Sequence, residues 1–205
     1  MKVFNKLIVA SHNNGKIIEI NDLFKNFKIE IFNSRDLKLS IPEETGTTFE
    51  QNALLKAKYA STETGMVAIS DDSGLCIDVL DNQPGVYSAD WAGENRNFDE
   101  AIKKIKALML LKNKKTSGAT MVCVLCLSWP DGNSEFFRGE VKGNIVFPPR
   151  GNLGFGYDPI FLPKIQPEKH RALTYGELNP IFKNQTSHRN EAFKSLLNKY
   201  TFVSK

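Results

Sequence analysis

Two polar clusters, each directly after an apolar run, carry the residue types that phosphate and metal chemistry require. Ser11, His12, Asn13, Asn14, Gly15 and Lys16 follow Leu7-Ile8-Val9-Ala10, and Asp71-Asp72-Ser73-Gly74 follows Met66-Val67-Ala68-Ile69-Ser70. The first cluster sits where a strand ends and a helix opens, so unpaired N–H groups and the helix dipole favour an anion there. Lys16 adds a point charge that can reach a phosphate oxygen. The second cluster supplies adjacent carboxylates, which repel each other unless a cation or donors offset them. A triphosphate chelated to a divalent metal needs both kinds of group, so the pair points to an enzyme acting on nucleotides. Each cluster alone has a plainer reading, as an Asn-Asn-Gly turn or an Asp-Asp-Ser-Gly turn. A Walker A loop does not fit the first: no Gly stands at position 10, and Ile17 replaces the Ser/Thr that would hold magnesium.

Three further groups extend the set. Glu43-Glu44 is a second acidic pair, in a loop before a helix, and hard oxygen ligands of this kind suit magnesium, which takes one or two carboxylates and keeps several waters. Gly154-Phe155-Gly156-Tyr157-Asp158-Pro159 combines aromatics and an Asp in a Gly-rich loop, a surface suited to stacking a planar base and reading its edge. Lys183 and Ser187-His188-Arg189 place cations beside a helix start, although a capped surface helix also explains Ser187.

These clusters need elements to position them. Residues 6–11 read as a buried strand and 16–27 as a helix with Ile17, Ile20, Phe24 and Phe27 on one face. Residues 28–33 alternate as a second strand. Thr47 with Glu50 predicts a capping-box start for a helix running to about Thr64. Residues 66–70 and 75–79 read as two separate strands around the acidic turn. Asn97 with Glu100 caps a helix whose apolar face is Phe98, Ala101, Ile102, Ile105 and Leu108. Residues 120–129 and 134–141 form a long hairpin over Pro130-Asp131-Gly132-Asn133. The Gly/Pro-rich stretch 147–159 leads to a short run at 160–162, and Ser187 starts a last helix facing inward with Phe193, Leu196, Leu197 and Tyr200. Alternating strands and helices followed by a hairpin predict α/β with a mixed sheet.

Composition narrows the class. The 205 residues are 41% hydrophobic and 24% charged, the balance of a soluble globular protein. No apolar run approaches the ~18 residues of a membrane helix and no signal-peptide core opens the chain, so a cytosolic protein without a membrane partner is expected. The net charge of +4 is mild. Lys103, Lys104, Lys106, Lys112, Lys114 and Lys115 read as a solvated helix face, because a nucleic-acid patch would interleave Arg and aromatics. Cys123 and Cys126 have C-x-x-C spacing, but residues three apart on a strand point to opposite faces, so core packing is expected instead of a metal or disulfide.

Six motifs stand in one order: Ser-x-Asn-x-x-Lys at positions 11–16, Glu43-Glu44-Thr45-Gly46, Asp71-Asp72-Ser73-Gly74-Leu75, Pro84-Gly85-Val86-Tyr87-Ser88-Ala89, Gly-Phe-Gly-Tyr-Asp-Pro-Ile-Phe from Gly154, and Ser187-His188-Arg189. Over nearly its whole length the chain therefore resembles the inosine triphosphate pyrophosphatase family (Ham1-like, non-canonical purine NTP pyrophosphatases). The resemblance implies one domain over 1–205 made of two lobes, a mixed-sheet ITPase-like (anticodon-binding-like) fold with a central cleft and an extended hairpin. It implies a cytoplasmic homodimer and Mg2+-dependent cleavage of ITP, dITP and XTP to monophosphate and pyrophosphate, cleansing the nucleotide pool. Carried over by position, Ser11, His12, Asn13, Asn14, Gly15, Lys16 and Lys56 would hold the triphosphate. Glu43 and Asp72 would bind the metal, with Asp72 also the proton acceptor and Ser73 beside it on the substrate. Phe155, Gly156, Tyr157, Asp158, Lys183, His188 and Arg189 would form the base pocket. Gln51, Asp90, Ile181-Phe182 and Thr186 depart from the usual pattern. A nucleotide-binding module without turnover, a nucleic-acid binder and a pyrophosphatase for modified pyrimidine nucleotides are the rival readings.

Overall fold

The computed structural model describes residues 4–40, 42–167 and 171–205. The chain opens with β1 (Lys6–Val9), α1 (Asn14–Phe24), β2 (Glu30–Asn33), α2 (Phe49–Thr64) and β3 (Ala68–Ile77). It continues through the two-residue β4 (Gln83–Pro84), α3 (Phe98–Leu111), β5 (Ser117–Ser128), β6 (Ser134–Ile145) and β7 (Phe161–Pro163), and ends in α4 (Pro180–Thr186) and α5 (His188–Lys199). The strands follow the order β2-β1-β3-β5-β6-β7, with β4 beside β3. Pairing is parallel for β1 with β2 and with β3, and antiparallel for β3 with β4 and β6 with β7, so the sheet is mixed as expected. Among the described residues no helix is long and apolar enough to cross a membrane.

The chain divides into two compact units. The first comprises Met1–Asp72, Cys123–Gly139 and Arg189–Lys205, and the second Ser73–Val122 and Glu140–His188. In the first unit, the buried strand β1 (Leu7, Val9) and β3 (Ile69) pack with Cys123, Leu125 and Leu127 of β5 against Ile20 and Phe24 of α1 and Phe193 and Leu196 of α5. Aromatic edges lock this layer: the Phe24 and Phe193 rings lie 4.8 Å apart and T-shaped. In the second unit, Ala101, Ile102, Ile105 and Met109 of α3 pack on Leu75, Ile77, Ala119, Met121, Val141 and Ile145. The exposed side of α3 carries the lysines, with Lys103 on Glu100 at 2.7 Å and Lys104 over Trp91 at 4.0 Å.

Three expected features differ. The acidic cluster is not a turn between two strands: β3 runs unbroken from Ala68 to Ile77 with Asp71-Asp72-Ser73-Gly74 inside it. Gly74 is there for close approach, because a Cβ would strike the Gly85 carbonyl and the Ser88 hydroxyl. Helix α2 is capped by Thr48, one residue later than expected, whose side chain accepts from Gln51 N. Gln51 in turn takes the Thr47 N–H on its Oε1 at 2.7 Å, so this amide reaches back past the cap to the residue before it. Helix α4 was not anticipated at all; Asn179 caps it and Pro180 occupies its first turn.

Candidate active site

Helix α1 begins at Asn14, two residues before its expected start, because Asn13 caps it by accepting Lys16 N at 3.2 Å. Ser11 Oγ accepts Asn13 N at 3.2 Å, which fixes the turn from β1 into the helix. Helix geometry leaves the Asn14 and Gly15 amides without intrahelical acceptors, so the loop 11–16 presents donors at the dipole's positive end. His12 is tied down: its Nε2 lies 3.0 Å from the Leu39 carbonyl oxygen, and its own carbonyl accepts from Arg35.

The first unit brings this loop to the acidic pair. Lys16 Nζ lies 2.6 Å from Asp71 Oδ1. Asp71 is wholly buried, and its Oδ2 accepts from Arg189 Nε at 2.7 Å and from the Cys123 thiol at 3.0 Å. Arg189 completes the chain by pairing its Nη1 with Glu19 of α1. Burial opposes the charge on Asp71, but the Arg189 guanidinium and the Lys16 ammonium outweigh it and hold the carboxyl well below its ordinary range. The same burial, with Asp71 beside it, pushes the Cys123 thiol far up. Cys123 and Cys126 are both buried free thiols in the core, as the strand argument required.

Asp72 points the other way along β3. Its Oδ1 accepts from Lys56 Nζ of α2 at 2.8 Å, while Oδ2 is buried with no hydrogen-bond partner among the described residues. Lys56 Nζ also lies 2.9 Å from Glu44 Oε1. Burial weakens the acidity of Asp72, and Glu44 adds to that; Lys56 and Lys16 offset it only in part, so the carboxyl is pushed up to about 6. Burial works against the Lys56 charge too, yet Asp72 and Glu44 prevail and raise its pKa. Of the acidic pair in the preceding loop, both of them exposed, Glu44 is the one that shares a cation with Asp72. The loop is held by Gly46 N donating to Asn52 Oδ1 at 2.8 Å. Among the described residues no three His, Cys, Asp or Glu side chains gather as a metal cluster.

In the second unit the Gly-rich loop is organised by Asp158, which is buried and accepts Phe155 N at 2.8 Å and Lys183 Nζ at 2.6 Å on Oδ2. Gly154 has φ +75° and no room for a Cβ beside Asp158. Lys183 Nζ stands 4.9 Å over the Phe155 ring. Tyr157, expected on a stacking surface, is instead a core residue: its hydroxyl donates to the Ser88 carbonyl at 3.0 Å and its ring meets Phe98 edge-on at 5.1 Å. Ser88 itself accepts Leu75 N at 2.9 Å, which explains the Pro-Gly-Val-Tyr-Ser-Ala motif structurally. His188 is buried and Ser73 half-buried. Arg189, expected to read the base, is committed to Asp71 and Glu19 in the first unit.

A family model described as the Ham1 family matches residues 7–199. The chain belongs to the Ham1 family. It is 48% identical over 198 residues to the dITP/XTP pyrophosphatase of Brucella melitensis biotype 1, covering 92% of this chain and 90% of that protein. To the dITP/XTP pyrophosphatase of Zymomonas mobilis subsp. mobilis it is 46% identical over 193 residues, covering 94% and 90%. Its structure is similar to that of a HAM1 protein from Coxiella burnetii, with TM-score 0.84, 34% identity and coverage of 96% and 98%. The family motifs thus acquire separate physical duties here: loop 11–16 presents donors, Asp71 and Asp158 are internal anchors, and Asp72 is the under-satisfied acid. Glu19 is the member of these networks that motif spacing did not single out. For Glu19 the one available signal was a carboxylate flanking the apolar face of α1.

Proposed function

We propose that this chain hydrolyses dITP, ITP and XTP to the nucleoside monophosphate and pyrophosphate, acting as a cytoplasmic homodimer that cleanses the nucleotide pool. Membership of the Ham1 family and the names of the relatives support the reaction class. One observation carries the choice of centre: Asp72 is a buried carboxylate with one oxygen on Lys56, the other without a partner, and its acidity shifted to about 6. Such a group is suited to take a proton near neutral pH.

Magnesium fits these residues. The orphaned Asp72 oxygen is a hard donor, and a second carboxylate, Glu44, shares its cation, which matches an ion that takes one or two carboxylates and completes its shell with water and phosphate. Asp72 would hold it together with a carboxylate of the Glu43-Glu44 pair, of which Glu44 is the one that shares Lys56 with Asp72. When bound, the ion neutralises charge on the departing pyrophosphate. Asp72 accepts the proton of the water whose oxygen attacks the α-phosphorus. The bond from that phosphorus to the bridging oxygen breaks, and pyrophosphate leaves with the electron pair. Lys16, Lys56 and the first-turn amides of α1 hold the phosphate oxygens and stabilise the charge that builds on them, and Ser73, next in sequence to Asp72, also contacts the substrate.

For the base, Lys183 and His188 are the donors to a 6-keto oxygen and Phe155 is the stacking face, with Asp158 fixing both Phe155 and Lys183. Adenine would set its amino group against those donors, and an unmet buried donor costs about 1–3 kcal/mol, roughly ten- to a hundred-fold in selectivity. Hydrolysis of a panel of purine and pyrimidine triphosphates in 18O-water tests the proposal. Label in the monophosphate with ITP, dITP and XTP preferred is the expected result. Label in pyrophosphate would refute attack at the α-phosphorus, and preference for pyrimidines would refute the substrate class.

A further inference from the structure

The phosphate-binding role of Lys16 raises the question of what holds a four-carbon flexible side chain in place before substrate arrives. The side chain of Lys16 is 15% exposed, and both nearby acceptors belong to one residue: Asp71 Oδ1 at 2.6 Å and the Asp71 carbonyl oxygen at 3.4 Å. Asp71 cannot swing away to follow it, because Oδ2 is pinned by Arg189 Nε and by the Cys123 thiol. Arg189 is pinned in turn by Glu19, three residues along α1 from Lys16. The chain Lys16–Asp71–Arg189–Glu19 therefore leaves one turn of α1 and returns to the next, passing through β3 and α5. Its two cations and two anions balance, so its burial needs no ligand to offset a net charge.

We propose that Asp71 is a positioning residue for the phosphate chemistry, with Arg189 and Glu19 as its fixed support. Asp71 takes two contacts of the Lys16 ammonium, which leaves its third N–H for a phosphate oxygen under this proposal. The rotamer freedom of a lysine is thereby removed in advance instead of at binding. Asp71 touches no reacting atom; it acts through Lys16. The inference rests on the reading of loop 11–16 as the phosphate site.

Competitive inhibition by inorganic tripolyphosphate, measured in the full-length chain, tests it through a double-mutant cycle. Lys16→Met weakens inhibition about tenfold or more, as loss of a charge-assisted contact does. Asp71→Asn alone produces a loss of similar size, and in the Lys16→Met background it produces none. A purely structural Asp71 would multiply the inhibition loss in both backgrounds, and that multiplicative result overturns the proposal; a lowered melting temperature is expected under either role. If Asp71→Asn does not fold, Glu19→Gln takes its place, with a smaller loss that must likewise vanish in the Lys16→Met background. Inhibition unchanged by Lys16→Met would sink the phosphate reading itself, a result distinct from multiplicative losses, which sink only the positioning role.

Discussion

Asp71 and Asp72 are neighbours on one strand, yet burial does opposite things to them. Alternation along β3 sends their side chains to different faces, and the faces differ in how many cations they supply. Asp71 receives Lys16, Arg189 and the Cys123 thiol, and its carboxyl is held well below the ordinary range. Asp72 shares Lys56 with a second carboxylate and keeps one oxygen unpartnered, and its carboxyl rises to about 6. A satisfied buried charge is scaffold; an under-satisfied one is a reactive group or a ligand. The same dipeptide thus supplies one fully satisfied carboxylate and one under-satisfied one, the rigid member and the working member of the proposed site.

The largest effect that can break this comparison is on turnover. Asp72→Asn removes the proposed proton acceptor and should cut kcat by about 10²–10⁴, with nucleotide binding still measurable by calorimetry. The variant should lose less stability at neutral pH than Asp71→Asn does, since Asn can still accept from Lys56 and the charge it removes is one that burial disfavours. Asp71→Asn should do the reverse to the fold: breaking a buried, paired charge costs about 3–5 kcal/mol, seen as a lowered denaturation midpoint. If Asp72→Asn were the more destabilising of the two, the division of roles would be wrong.

How much of this was legible in the sequence depends on how far away the partners lie. The loop 11–16 was readable because strand, Asn cap and helix are contiguous. Asn97 as the cap of α3 and the two core cysteines were readable for the same local reason. The continuity of β3 was not, because an Asp-Asp pair reads as a strand break until its compensating charges are known. Those charges come from Lys56, 16 positions away, and Arg189, 118 positions away. Glu44 could not be told from Glu43 because an irregular loop offers no period to say which of two exposed side chains reaches Lys56. The hydrophobicity of Tyr157 in the second core competed with its place in a Gly-rich motif, and packing won. Helix α4 escaped because seven residues are too few for a periodic signal.

The acid–base difference sharpens the comparison with opposite signs. Unfolded Asp72 ionises near 3.8, whereas the folded carboxyl keeps its proton to about 6. Its contribution to stability is therefore complete below about 3.8 and is lost as pH rises through about 6, to the extent of about 3 kcal/mol by pH 7 in the metal-free protein. Asp71 has a depressed value, so its contribution is present above 3.8 and lost only as pH falls through that depressed value. Urea midpoints of wild type and Asp72→Asn across pH 4–7 should diverge with rising pH, the variant gaining relative to the wild type. Parallel curves would mean that Asp72 is not under-satisfied.

The smallest expected effect isolates one bond on the Asp71 side. Cys123 and Cys126 lie on the same strand, both fully buried and both lacking a disulfide partner. The Cys126 thiol has only a long contact to the Leu127 carbonyl at 3.7 Å, and burial pushes it up to about 12. The Cys123 thiol donates to Asp71 at 3.0 Å. Replacing either with Ala opens a similar small void, so the void cost cancels between the two variants. What remains is the hydrogen bond to a charged acceptor, and Cys123→Ala should be more destabilising than Cys126→Ala by about 1 kcal/mol. Equal denaturation midpoints would show that Arg189 and Lys16 alone satisfy Asp71, and that the thiol beside it is only packing.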